Sequence, residues 1–123
     1  MPRILIADDE ELIREMYRDD LTETFPDLEV DEVDNGKSLV EQALANQGQY
    51  SLILTDYEMP VMDGISAICQ IRQQDQQTPI YMIAGQSDTE RFTKAALEAG
   101  ANGYFPKLIS MRILRDAVKM YLR

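Results

Sequence analysis

The chain has 123 residues, 22 of them acidic against 12 basic, with no histidine and a net charge of −10. That length fits one domain, and the acidic balance disfavours a nucleic-acid-coating surface, which needs a basic stripe to displace counterions. A hydrophobic content of 45 % can build a core and argues against bulk disorder.

The first apolar run is Ile4-Leu5-Ile6-Ala7, compact enough for a strand buried on both faces. Leu12, Ile13, Met16, Tyr17 and Leu21 then recur at helical spacing, and Pro26 closes that helix. Residues 28–33 alternate apolar and polar positions, which predicts a more exposed strand near a sheet edge. Leu39, Val40, Ala43 and Leu44 mark a second helix stopped by Gly48. Leu52-Ile53-Leu54 is a third strand. After the Asp63-Gly64 turn, Ile65, Ile68 and Ile71 mark a third helix, on which Cys69 reads as a core residue. Ile80-Tyr81-Met82-Ile83 is a fourth strand. Phe92, Ala95, Ala96 and Ala99 form a fourth helix, opened by the capping-box spacing Ser87-x-x-Glu90 and ended by Gly100. Gly103-Tyr104-Phe105-Pro106 is a short fifth strand with its proline confined to the end, and Leu114, Ala117, Val118, Tyr121 and Leu122 mark a last helix.

Strands alternating with helices predict a parallel sheet covered on both faces, because parallel strands need crossover connections. In such sheets ligands bind beyond the carboxyl ends of the strands, near the switch point in strand order. Other classes fall away. One cysteine forms no intrachain disulfide, no CxxC or histidine cluster offers a zinc site, and no imidazole base exists for a catalytic triad. No apolar stretch reaches the ~20 residues of a membrane helix, and the charges at Arg3, Asp8 and Asp9 come too early for a secretory signal. The expectation is a cytoplasmic protein with no membrane contact and no direct nucleic-acid binding.

The strand ends carry the unusual residues: Asp8-Asp9-Glu10-Glu11 after the first, Asp56 at the end of the third, Ala84-Gly85 after the fourth and Lys107 after the fifth. If the first and third strands are neighbours, Asp8, Asp9 and Asp56 converge. Two like charges ~4 Å apart cost about 4 kcal/mol at an effective dielectric of ~20, so a cation must offset them. Lys107 supplies one charge. A hard divalent ion would supply more, and a site with few carboxylates and room for water suits Mg²⁺. Taken alone, Asp8 and Asp9 fit the simpler role of capping the first helix better than metal binding; Asp56 has no helix immediately after it to cap.

Asp8-Asp9, Asp56 after Leu52-Ile53-Leu54, Met59-Pro60, Asp63-Gly64, Thr78-Pro79, the run from Gly100 to Tyr104, and Lys107 occur in an order and spacing that resemble the receiver domain of two-component response regulators. The resemblance covers essentially the whole chain, so residues 1–123 are expected to form one receiver domain. It implies an α/β, flavodoxin-like (βα)₅ three-layer sandwich, with a five-stranded parallel sheet of order 2-1-3-4-5. It implies Asp56 as phosphoacceptor, Lys107 as a phosphoryl contact, and Mg²⁺ held by Asp8, Asp9, Asp56 and the backbone carbonyl of Glu58. The implied partners are a sensor histidine kinase or phosphotransfer protein, with a homodimer through the fourth helix, fifth strand and fifth helix as one output arrangement. Such a protein is a self-catalysing phosphoacceptor and not a turnover enzyme. The alternatives weighed against it are a non-phosphorylated pseudo-receiver and, less favoured, a small Mg²⁺-dependent phosphohydrolase.

The chain departs from the family pattern in places. Ala84 stands where Thr or Ser is usual, so the hydroxyl that captures a phosphoryl oxygen is missing, with Gln86 and Ser87 as nearby stand-ins. Leu108 replaces the usual proline after Lys107, and a cis bond there would cost roughly 2.5–4 kcal/mol. Tyr104 matches the family's aromatic switch position, with a core or edge aromatic as the equal alternative. The charge is also polarised. Residues 1–34 hold 13 acids against 3 bases, and residues 103–123 hold 5 bases against 1 acid. Beyond Asp8 and Asp9 the early acids are expected to be solvated. Arg112, Arg115, Lys119 and Arg123 are expected to line the output face of the last helix.

Overall fold

The computed structural model describes residues 1–85, 89–107 and 109–122. Strands β1 (Arg3–Ala7), β2 (Glu29–Val33), β3 (Leu52–Asp56), β4 (Ile80–Ala84) and β5 (Gly103–Pro106) alternate with helices α1 (Glu11–Thr24), α2 (Gly36–Ala45), α3 (Gly64–Arg72), α4 (Thr89–Ala99) and α5 (Met111–Lys119). The strands form one parallel sheet in the order β2-β1-β3-β4-β5. This is the flavodoxin-like receiver fold that the sequence predicts.

Alternation along the strands feeds two cores. Leu5, Ala7, Ile53, Met82 and Ala84 face α2, α3 and α4, where they meet Leu39, Ala43, Ala67, Ile68, Ile71 and Ala96. Ile4, Ile6, Leu52 and Leu54 face α1 and α5 and meet Tyr17, Leu21, Leu114 and Val118. The fully buried β3 lies at the centre, whereas β2, the edge strand, keeps every residue at least partly accessible. Asn35 and Asp63 cap α2 and α3, each accepting a hydrogen bond from the N–H three residues on, at 2.8 Å. Gly100, at φ +115°, ends α4 in the left-handed conformation that glycine adopts without a Cβ clash. The Ser87 cap and the Lys107-Leu108 peptide lie outside the described residues.

Helix rotation differs from the sequence expectation in two places. On α1, Tyr17 and Leu21 are buried and Ile13 is half-buried, but Leu12 is 78 % and Met16 40 % exposed. On α3 the buried stripe is Gly64, Ala67, Ile68 and Ile71, and Cys69 is exposed. Each residue advances about 100° around a helix. A neighbour of an inward residue therefore sits on the shoulder of the stripe, and the sheet beneath decides which shoulder is covered.

Two backbone approaches lock the loop after β3. The Gly64 N–H donates to the Tyr57 carbonyl at 2.8 Å. A Cβ on Gly64 would stand 2.1 Å from the Asp56 carbonyl oxygen, and one on Gly36 2.0 Å from that of Met62. Among the described residues, no helix is long and apolar enough to cross a membrane.

Alanine near a helix start normally outperforms glycine by up to about 1 kcal/mol. Gly64→Ala is expected to do the reverse, destabilising by about 1–3 kcal/mol because the Asp56 backbone must move. Urea denaturation midpoints with an unchanged m-value check this.

Candidate functional site

The register of the central strands builds the site. Ala7 pairs with Thr55 across β1 and β3, so the next residues, Asp8 and Asp56, emerge side by side where the strand order reverses. Asp8 is 3 % and Asp56 5 % exposed, while Asp9 is exposed at the rim. Carboxylate oxygens of the three lie within 4.8 Å of one another.

Lys107, following β5, reaches across β4 to join them. Its Nζ lies 3.0 Å from Asp56 Oδ2, 3.1 Å from Glu10 Oε2 and 3.4 Å from Asp8 Oδ2. The backbone fixes the other oxygens: Asp56 Oδ1 accepts from the Tyr57 N–H at 2.8 Å, and Asp8 Oδ1 from the Glu10 N–H at 2.9 Å. Arg14 donates to the Asp8 carbonyl at 2.6 Å and pairs with Glu32, tying the β1–α1 loop to β2. Asp8 faces the pocket but does not cap α1 as the sequence suggests: the N-cap residue is Glu10, without a side-chain cap hydrogen bond, and the Asp8–Glu10 bond closes a turn just before the helix.

A cavity of about 380 Å³ opens over these groups. Asp9, Asp56, Glu58 and Lys107 line it together with Ala84, Tyr57 and Phe92. Tyr57 and Phe92 pack with ring centroids 4.9 Å apart, forming an apolar wall towards α4. Ala84 presents only a methyl group, and its carbonyl accepts from the Lys107 N–H at 2.8 Å and from the Tyr104 hydroxyl at 3.1 Å. Tyr104 therefore points inward to the end of β4. Gln86 and Ser87 lie outside the described residues.

Electrostatics follow from burial. Desolvation, then the charge of Asp8, pushes Asp56 up to about 6, against the opposing pull of Lys107. Burial likewise raises Asp8. Burial alone would lower Lys107, but its hydrogen bonds to Asp56 and Glu10 and the surrounding carboxylates raise it on balance, so the ammonium stays charged. One lysine facing Asp8, Glu10 and Asp56, with Asp9 nearby, leaves an excess of negative charge. The all-oxygen donor set suits a hard divalent cation such as Mg²⁺.

The sequence places Glu10 among the strand-end acids without giving it a role, and it singles out neither Arg14 nor the Tyr57–Phe92 wall. Arg14 had one faint signal, its position one helical turn after Glu10. Most of the other early acids are exposed, as expected, but three are partly buried in ion pairs. Asp31 binds Arg3 and Tyr50, Glu32 binds Arg14 and Arg18, and Asp20 binds Arg115. That last pair draws Arg115 towards α1, leaving Arg112 and Lys119 exposed on α5. Arg123 is outside the described residues.

An acidic pocket at the switch point of a 2-1-3-4-5 sheet, reached by a lysine just after the fifth strand, places the chain in the flavodoxin-like α/β class with a site at the carboxyl ends of its strands. The chain belongs to the response regulator receiver domain family, whose model matches residues 4–119. It is 33 % identical over 116 residues to the chemotaxis protein CheY of Halobacterium salinarum, covering 94 % of this chain and 92 % of that one. It is 37 % identical over 121 residues to the transcriptional regulatory protein SrrA of Staphylococcus aureus, covering 98 % of this chain but 47 % of that protein. The receiver domain of the Francisella response regulator 1452 superposes with a TM-score of 0.85 at 27 % identity, covering 98 % of this chain and 96 % of that one.

The raised Asp56 sets a pH dependence for the cation-free protein. A carboxyl whose folded value is about 6 and whose ordinary value is 3.8 contributes stability below about pH 4, and this is lost as pH rises through about 6. Asp56→Asn is expected to be more stable than wild type at pH 7 by up to about 3 kcal/mol, with the difference vanishing by about pH 4. Denaturation of both proteins in EDTA across that range measures it.

Proposed function

We propose that this chain is a phosphorylatable receiver of two-component signalling, accepting a phosphoryl group on Asp56 in a Mg²⁺-dependent reaction and changing its partner interactions in response. The observation that carries this reading is the buried Asp56 carboxylate, 3.0 Å from Lys107 and flanked by Asp8 and Asp9 at the mouth of an open cavity. Asp8, Asp9, Asp56 and the backbone carbonyl of Glu58 would hold Mg²⁺, which supplies positive charge beside the transferring group when bound.

Asp56 acts as the nucleophile. Its oxygen bonds to phosphorus as the phosphorus–nitrogen bond of a phosphohistidine breaks, and the donor imidazole leaves with a proton. This chain has no histidine of its own, so the donor is a separate histidine kinase or phosphotransfer protein. Lys107 stays protonated and can exchange its contact with Asp56 for a phosphoryl oxygen, offsetting charge as it develops. Water attack on phospho-Asp56 returns inorganic phosphate and resets the switch. On this reading the chain is a signalling protein and not a turnover enzyme, acts in the cytoplasm, and presents α4, β5 and α5 to a protein partner or a second copy, with no direct contact to nucleic acid.

Incubation with Mg²⁺ and acetyl phosphate should give a mass increase of one phosphoryl group, absent in Asp56→Asn and without EDTA-resistant residue. Unlabelled wild-type protein that nonetheless binds Mg²⁺ would support the pseudo-receiver instead.

Ala84 is the feature that favours that second reading. With no hydroxyl at this position, and with Tyr104 already donating to the Ala84 carbonyl, the conformational response should be weak. Ala84→Thr is expected to enlarge the beryllofluoride-induced chemical-shift changes around Tyr104 and α4. Equal responses in the two proteins would show that the switch does not depend on this side chain.

A further inference from the structure

Tyr17 carries a hydroxyl that packing does not explain. The residue is 2 % exposed, and its ring sits in the α1/α5 core with Ile6, Leu54 and Leu114. Among the described residues, its hydroxyl is the one buried side-chain polar atom without a hydrogen-bond partner. Phenylalanine would fill the same space without stranding a polar group, and a stranded buried hydroxyl costs stability.

Its position points to a use. The alternation that turns Ile4 and Ile6 towards α1 carries Asp8 to the same side, and Leu52 and Leu54 do the same for Asp56. The hydroxyl therefore lies under the floor of the acidic pocket, within electrostatic reach of Asp8, Lys107 and Asp56. Burial, then the Asp8 charge, raises the Tyr17 pKa, so the group keeps its proton and is a donor. Asp8 has capacity to accept. Its oxygens offer about four lone-pair sites and, among the described residues, are engaged by the Glu10 N–H and by Lys107. A divalent cation among Asp8, Asp9 and Asp56 would compete with Lys107 for Asp8, leaving the Glu10 N–H as the carboxylate's remaining protein donor among the described residues and a lone pair open to a further one.

We propose that Tyr17 is a positioning residue of this pocket: in the cation-loaded protein its hydroxyl donates to the Asp8 carboxylate, directly or through one water, and holds it in its ligating orientation. The proposal rests on the reading of the pocket as a Mg²⁺ site, and it places a residue of the first helix's buried stripe in the support of that site.

Tyr17→Phe tests it with two readouts on the full chain. Thermal denaturation in EDTA should give a melting temperature equal to or above wild type, because no bond is lost in the cation-free state. Calorimetric titration with MgCl₂ should give a dissociation constant weakened about three- to tenfold, the range of one hydrogen bond. Equal Mg²⁺ affinity overturns the role of Tyr17 while leaving the metal site standing. A lowered melting temperature in EDTA overturns it too, since the hydroxyl would then be bonded without the cation. Wild-type protein that takes up no Mg²⁺ overturns the metal-site reading itself, and the Tyr17 role with it.

Discussion

Asp8 and Asp56 stand side by side at the ends of two neighbouring parallel strands, nearly closed off from water, and Lys107 is the cation that makes this arrangement tolerable. Burying one carboxylate is costly, and burying two close together adds their repulsion. The protein does not remove that cost. It meets part of it with the Lys107 ammonium and the Tyr57 and Glu10 N–H groups. The remainder, desolvation first and the Asp8 charge second, pushes Asp56 up to about 6, and Asp8, Asp9 and Asp56 form a group of oxygens that could hold a metal ion.

The rest of the molecule serves to hold that crowded group in register. The β1–β3 pairing sets the two aspartates level, and Gly64 lets the start of α3 press against the Asp56 backbone. Arg14 clamps the Asp8 carbonyl from α1 and ties the same loop to β2 through Glu32. The walls of the cavity are chemically unequal: acids and a lysine on one side, and Tyr57, Phe92 and the Ala84 methyl on the side leading to α4. With Tyr104 bonded to the Ala84 carbonyl, the pocket is joined to α4 and β5 through aromatic packing and backbone rather than a side-chain hydroxyl at Ala84.

Much of this was legible in the chain because buried parallel strands read as short apolar runs and strand ends are sequence-local. Asp8, Asp56, Ala84 and Lys107 each follow or end such a run, so their convergence needed only the strand order. The rotational phase of the helices was less legible. Leu12 and Ile13 are equally apolar, as are Ile68 and Cys69, and periodicity alone assigns both to one face. The sheet covers only Ile13 and Ile68 fully or in part, leaving Leu12 and Cys69 exposed. The fate of the early acids was hidden for a similar reason. Glu32 and Asp20 look like solvated charges until β2 is laid beside α1, and α5 beside α1, bringing Arg14, Arg18 and Arg115 to them.

By itself the sequence determined the alternation of strands and helices, the parallel sheet, and the identity of the carboxylates and lysine at the strand ends. Those follow from local hydrophobic pattern and from the repulsion that any cluster of acids must relieve. Only the tertiary structure decided which acid each base neutralises, that Tyr104 turns inward, and that the Tyr17 hydroxyl is buried without a hydrogen-bond partner within electrostatic reach of Asp8. Such outcomes depend on distances of about 3 Å between residues as much as 97 positions apart, as for Glu10 and Lys107, and periodicity along a chain carries no information on that scale. The net charge of −10 shows the difference: the sequence sets its total, and the fold partitions it into ion pairs between elements and an unbalanced acidic group at the strand ends.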